Sequence, residues 1–324
     1  MVPTDDARAT HVPVLAERIV EVLAPALAAP GSTYVDGTLG LGGHAALILD
    51  ACPQARLVGI DRDPAALAVA GERLARFGDR VALFRAVYSE LPDVLARAGR
   101  RPVQAVLLDL GLSSLQIDRR DRGFAYSVDA PLDMRMDPDS PLTAATIVNT
   151  WAAADLARIL RVHGEERFAE RIADRIVAAR ADAPFTSSAR LVQVIADAIP
   201  AAARNTGGHP AKRTFQALRI VVNAELEALA AVLPAALDAL APSGRMAVLA
   251  YHSGEDRMVK RAFAAASTDR VPAGVPDVPA AYRAQYTLLT RGAERPGPAE
   301  IQANPRAASA RLRVIARNPQ EVPR

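Results

Sequence analysis

Four side chains able to take or share a proton stand where apolar runs end. They are Asp36 after TYV, Asp61 after RLVGI, Asp109 after VQAVLL, and His252 after GRMAVLAY. If those runs are parallel strands, the four converge, because an open α/β sheet binds ligands beyond the carboxyl ends of its strands. Carboxylates and an imidazole in one crevice suit proton transfer and the holding of a cation. Gly37, Gly40, Gly42, Gly43 and His44 follow Asp36 directly. Glycine is costly to order, so this cluster implies that something approaches the backbone. Gly40 to Ala45 has the spacing G-x-G-x-x-A of a strand-to-helix turn that receives an adenosine-containing cofactor. Asp61, 19 residues beyond Gly42, is placed to accept both hydroxyls of a ribose. A nicotinamide dinucleotide and S-adenosylmethionine are the rival ligands. Asp36 would repel a pyrophosphate, whereas Asp36 and Asp109 together suit a sulfonium, which favours S-adenosylmethionine.

The elements that must position these residues follow from periodicity. Residues 12–28 have helical spacing through Val12, Leu15, Ile19, Val22, Leu23 and Leu27. Strands are predicted over 33–36, 56–61, 81–87 and 103–111. Helices are predicted over 44–50, 63–78 and 92–99; Asp63, Pro64 and Gly78 give the second its cap, first turn and stop. This alternation predicts a doubly wound α/β sheet. It then breaks off. Residues 112–143 read as loop, 151–182 and 188–203 as helical, and 211–231 as one long helix. A strand over 244–252 and two late strands near 285–290 and 310–317 complete the sheet. The expected organisation is a sheet domain of 1–112 and 209–324 with an all-helical insert of 113–208.

The bulk numbers are compatible with this. The 324 residues are half hydrophobic, 23% charged, and carry a formal charge of only +3. The basic excess is concentrated: from 281 onward eight Arg face three Glu, a net +5, which suits a polyanion. Cys52 is the single cysteine, which excludes an internal disulfide and a cysteine-based zinc site. The apolar stretch 22–31 carries Pro25 and Pro30 and is too short to span a membrane. A soluble, cytoplasmic chain that needs no metal is expected.

DLGLSSLQID (109–118), RGFAY (122–126), PLDMRMD (131–137), GEER (164–167), HPAKRTFQALRIVVNAEL (209–226), HSGEDRMVK (252–260) and NPRAASARLR (304–313) occur in one order. In these motifs the chain resembles the bacterial 16S ribosomal RNA cytosine-N4 methyltransferases, from HVPVLAE (11–17) to Arg313. It departs from that pattern at AYHSGEDR (250–257), where the pattern reads S-F-H-S-L-E-D-R, at Ala125 for a serine, and at Ala308 for an arginine. The resemblance implies a Rossmann-like methyltransferase sheet with a helical substrate domain. It implies S-adenosylmethionine as cofactor and a decoding-region cytidine of the small ribosomal subunit as substrate. It further implies that Gly42, Gly43 and His44 line the methionine and adenosyl parts, that Asp61 holds the ribose and that Tyr88 lies near the adenine. Asp109 and Gln116 would close the pocket.

Cytosine N4 is a poor nucleophile because its lone pair is delocalised into the ring. The enzyme must align it with the S–CH₃ bond and accept a hydrogen bond from the amine; positioning of this kind contributes up to ~7–11 kcal/mol. Asp109 is followed by Leu-Gly-Leu-Ser-Ser rather than by the Pro-Pro-aromatic segment of many amino-methyltransferases. The acceptor candidates are therefore Asp109, Asp133 and His252. His252 has a turn-binding role as alternative, and Asp133 a bracing role with Arg135 or Arg122. For the RNA, residue type points to His209, Lys212, Arg213 and Arg219, to Arg119, Arg120 and Arg122, and to Arg306, Arg311 and Arg313.

Overall fold

The computed structural model describes residues 13–203, 209–269 and 282–319; His11, Val12 and Arg324, named above, lie outside them. The chain forms two compact units, Met1–Gly111 with Glu227–Arg324, and Leu112–Leu226. In chain order, the first unit begins with α1 (Ala16–Leu23), β1 (Thr33–Asp36), α2 (Gly43–Ala51), β2 (Arg56–Asp61), α3 (Pro64–Leu74), β3 (Val81–Arg85), α4 (Leu91–Ala98) and β4 (Val103–Asp109). The second unit holds α5 (Ser114–Asp118), α6 (Ala144–Thr150), α7 (Ala153–Gly164), α8 (Ala169–Asp182), α9 (Ser188–Ala198) and α10 (Lys212–Val222). The chain then continues through α11 (Glu225–Ala239), β5 (Leu240–Ala250), α12 (Ser253–Ala266), β6 (Tyr286–Leu288), α13 (Pro298–Ala303) and β7 (Arg311–Arg317).

The seven strands run β3-β2-β1-β4-β5-β7-β6. The first five are parallel, and β7 is antiparallel to both β5 and β6. This is the doubly wound, Rossmann-like sheet expected. Its cause is visible in the strands. Successive side chains point to opposite faces, and here both faces are covered. Tyr34, Leu57, Leu107 and Leu249 pack with Ile19, Ile48, Leu49 and Leu74 on one side. Val35, Val58, Val106 and Val248 pack with Leu91, Val94, Leu229, Val232 and Phe263 on the other. Each such side chain contributes roughly 1.5–3 kcal/mol by leaving water. Strand order reverses between β1 and β4, so their carboxyl ends flank the crevice of the sheet.

The antiparallel edge is braced by charge. Asp256 of α12 accepts from Arg313 at 2.7 and 3.2 Å and from Arg311 at 3.1 Å. Burial works to raise the Asp256 pKa, but the two guanidinium groups outweigh it and the net direction is down. Its contribution to stability is therefore full at neutral pH and lost as pH falls through the carboxylate range. Asp256→Ala is expected to cost about 2 kcal/mol, the size of a charge-assisted hydrogen bond set. Urea denaturation at pH 7 and pH 3 checks this; an equal loss at both would assign the cost to packing alone.

Two helical predictions are corrected. The stretch 151–182 is interrupted after α7, where Glu165 adopts φ 49°. The expected helix 211–231 is two helices bent by 59°. Ala224 sits at φ 48° there, and Asn223, whose N–H makes the last ladder bond to the Arg219 carbonyl at 3.1 Å, turns its side chain outward: it accepts from Met136 N–H at 2.7 Å and donates to the Met134 carbonyl at 2.8 Å. The same side chain explains why α10, which the sequence pattern grouped with the sheet, packs in the second unit. Phe215, Ala217, Leu218 and Val222 join Leu156, Ile159, Ile172, Ile176 and Leu191 in one core. Among the described residues no single helix is long and apolar enough to cross a membrane.

Candidate active site

The turn between β1 and α2 is built by close approach. A β-carbon on Gly37 would lie 2.6 Å from Leu108 Cδ2 and 3.5 Å from Tyr88 Cβ. Gly42 is the N-cap of α2 at φ 73°, in the left-handed region that glycine enters at little cost. The turn is tied down by Gly37 N–H to the Leu107 carbonyl and Leu39 N–H to the Ile60 carbonyl. It lies against the ends of β4 and β2, with Tyr88 in the turn that follows β3.

Three carboxylates surround it. Asp36 ends β1 and is 2% exposed. It accepts from Tyr34 Oη at 2.9 Å and from Thr38 N–H at 3.3 Å. Burial pushes its pKa up to about 6, against the opposing pull of His44, the Tyr34 hydroxyl and the Thr38 N–H. Asp61 ends β2 and clamps the glycine turn. Its Oδ2 accepts from Gly40 N–H at 2.7 Å, and its Oδ1 from Asp63 N–H at 2.8 Å. Its pKa is also raised, by burial first, with the two N–H donors pulling the other way. Asp109 ends β4 with its side chain 26% exposed. Its N–H donates to Thr38 Oγ1 at 2.6 Å, which locks the ends of β1 and β4 together. Tyr251 Oη donates to Asp109 Oδ1 at 2.7 Å, and His44 Nε2 lies 3.5 Å from Asp109 Oδ2.

His44 is buried at the start of α2, and among the described residues neither ring nitrogen has a hydrogen-bond partner. An unsatisfied buried imidazole is costly unless a ligand completes it. A crevice with three acceptors and an unsatisfied ring can take a ligand that carries both positive charge and hydroxyl donors.

The other expected site residues fall elsewhere. His252 caps α12: its Nδ1 accepts from Gly254 and Glu255 N–H, and its Nε2 faces Glu255 Oε1 at 3.2 Å. Nδ1 is thus engaged within its own turn, the alternative its sequence position allowed, while the buried Nε2 makes no hydrogen bond among the described residues. Asp133 lies in the second unit and forms a two-point pair with Arg135 at 2.8 and 2.9 Å. Burial works to raise its pKa, yet Arg135 brings the net direction down. Arg122 donates to the Arg135 and Met136 carbonyls, so this cluster braces its own loop. Gln116, also in the second unit, closes a capping box with Ser113 at the start of α5. Lys212 and Arg213 are exposed on the first turn of α10. His209 stacks on Tyr126 with ring centroids 4.6 Å apart. Arg306 is exposed, whereas Arg311 is drawn to Asp256.

Tyr34, Thr38 and Tyr251 escaped the sequence reading. Tyr34 was findable, since residues two apart on a strand share a face and Asp36 is two residues on. Tyr251 was not, because only the pairing of β4 with β5 brings it to Asp109.

The Methyltransf_5 family model, described as the MraW methylase family, matches residues 8–318. "Ribosomal RNA small subunit methyltransferase H" of Nocardioides sp. is 61% identical over 308 residues, 95% of this chain and 97% of that one. The protein of the same name from Frankia alni is 60% identical over 308 residues, covering 95% of each. That from Mycolicibacterium smegmatis is 56% identical over 317 residues, 96% of this chain and 85% of that one. With the family's pattern running across both units and through every strand of the sheet, this chain belongs to the MraW methylase family.

Proposed function

We propose that the chain transfers a methyl group from S-adenosylmethionine to the N4 amine of a cytidine in the decoding region of 16S ribosomal RNA, on the small ribosomal subunit. The observation that carries this is the trio of carboxylates at the ends of β1, β2 and β4 around a glycine turn. The curated relatives, named for small-subunit ribosomal RNA methylation, supply the substrate class.

The donor set suits the cofactor. Asp36 is the acceptor for its cationic methionine end, and Asp61 keeps lone pairs for ribose hydroxyls beyond those taken by the Gly40 and Asp63 N–H groups. His44, with both nitrogens unsatisfied, is completed by the ligand's polar atoms. Gly42 and Gly43 let the backbone approach, and Tyr88 offers a ring for the adenine. When bound, S-adenosylmethionine supplies an electrophilic methyl group on a cationic sulfur. Asp109 then accepts a hydrogen bond from the N4 amine and afterwards its proton, which removes delocalisation of the lone pair as nitrogen becomes tetrahedral. His252, whose Nδ1 caps α12, and Asp133, paired with Arg135, are left to shape their turns.

For the RNA, His209, Lys212, Arg213 and Arg306 are the exposed candidates. Arg311 shares its charge with Asp256. Phosphate contacts release counterions. Lys212→Ala with Arg213→Ala is therefore expected to flatten the logarithmic salt dependence of subunit binding by about two. An unchanged slope would discard α10 as a phosphate contact. The function itself is tested with labelled S-adenosylmethionine and small subunits lacking the modification, followed by nucleoside mass analysis. Label on a cytosine ring carbon, or on no cytidine, would sink the reading.

A further inference from the structure

We infer that Tyr251 is a positioning residue for Asp109: its phenol fixes the carboxylate in the rotamer that receives the N4 amine. This rests on the proposed methyl transfer to N4.

The geometry is specific. Asp109 is the last residue of β4, and its side chain is partly exposed, so nothing in its own strand fixes the carboxylate plane. Its backbone is fixed by Thr38 Oγ1 and by its pairing with Leu249 of β5. Tyr251 follows β5 directly and reaches Asp109 Oδ1 at 2.7 Å, while His44 Nε2 stands 3.5 Å from Oδ2. Each carboxylate oxygen offers two acceptor sites. Donation to Oδ1 therefore orients the group without using up its capacity.

Tyr251 is itself held. Its N–H donates to Glu255 Oε2 at 2.8 Å, inside the box that caps α12, and its ring packs beside Gly111, where a β-carbon would lie 3.5 Å from Cδ2. The capping box of His252 and Glu255 thus acts on the site through Tyr251. Burial and then Asp109 hold the phenol well above its ordinary pKa, so it remains a donor throughout the working range.

Tyr251→Phe removes the hydroxyl alone. The expected result is a five- to tenfold lower kcat with KM for subunits and cofactor affinity within twofold of wild type. The second half of the test is a double-mutant cycle. In an Asp109→Ala background, Tyr251→Phe is expected to change kcat by less than twofold, because the hydroxyl acts only through that carboxylate. Placing a ring-fluorinated tyrosine at 251, a stronger donor of the same shape, provides a variant that keeps the packing; it must alter kcat in wild type and not in Asp109→Ala. Unchanged kcat in Tyr251→Phe overturns the inference and leaves the methyl-transfer reading standing. So does an equal loss in the Asp109→Ala background, or a parallel loss of cofactor affinity. Full activity of Asp109→Ala instead overturns the acceptor assignment itself, a result distinguishable from the other three.

Discussion

Replacing Asp109 by Asn is expected to lower kcat for methyl transfer by about 10²–10³-fold, the usual cost of removing one aimed electrostatic group from an active site. Asparagine is the informative choice because it keeps the volume and one carbonyl acceptor. Tyr251 retains a partner, and the Asp109 N–H still reaches Thr38, so the ends of β1 and β4 stay joined. What is lost is the charge and the capacity to take a proton. The amine that forms on methylation then has no carboxylate to receive its hydrogen. KM for subunits should move little, since Asp109 is not among the exposed basic residues that meet phosphates. Single-turnover kinetics on subunits lacking the modification separates the chemical step from binding. Near-wild-type single-turnover rates in Asp109→Asn would show that the amine is deprotonated elsewhere.

Asp36→Asn is expected to stabilise the free protein while weakening cofactor binding. The Asp36 carboxyl is lifted from 3.8 to about 6 by burial. Between those values the folded chain keeps a proton that the unfolded chain has released. Raising pH through this window therefore destabilises the fold. The difference, about 6 less 3.8, is roughly 2 units, worth about 3 kcal/mol at 1.36 kcal/mol per unit. Asparagine stays neutral at every pH and can still accept from Tyr34. The stability gain of Asp36→Asn should thus be near zero below pH 4 and grow to about 3 kcal/mol above pH 6. Urea denaturation across this range measures it; a gain that does not depend on pH would contradict the buried-charge account. The same charge is what a cationic cofactor meets. Wild-type affinity should rise with pH through about 6, and calorimetric titration of Asp36→Asn should show weaker, pH-independent binding. This is the trade-off expected when a site keeps an unfavourable charge for function.

How much of this was legible in the sequence differs from residue to residue. The strands were legible because β1, β2 and β4 are continuous apolar runs, which only a sheet covered on both faces explains. Their terminal acids were legible because the runs stop at them. Asp61 was placed by spacing, and it clamps the glycine turn through Gly40. The breaks in the helical stretches were not legible. Glu165 and Ala224 adopt left-handed backbone without being glycine, and Asn223 ends its helix by bonding to Met134 and Met136, far away in sequence. His252 shows the same limit from the other side. Its position at the end of a strand suited a base, and the helix that begins beside it takes its Nδ1 as a cap acceptor, which no local pattern announces.

By itself the sequence determined the doubly wound sheet, the carboxylates that close its strands and the glycine turn among them, because burial, periodicity and chain reversal are local demands written in consecutive residues. Only the tertiary structure decided which of those groups meet. Asp109 with Tyr251 and His44, and Asp256 with two arginines of the edge strand, depend on tertiary pairing, which side-chain periodicity does not encode.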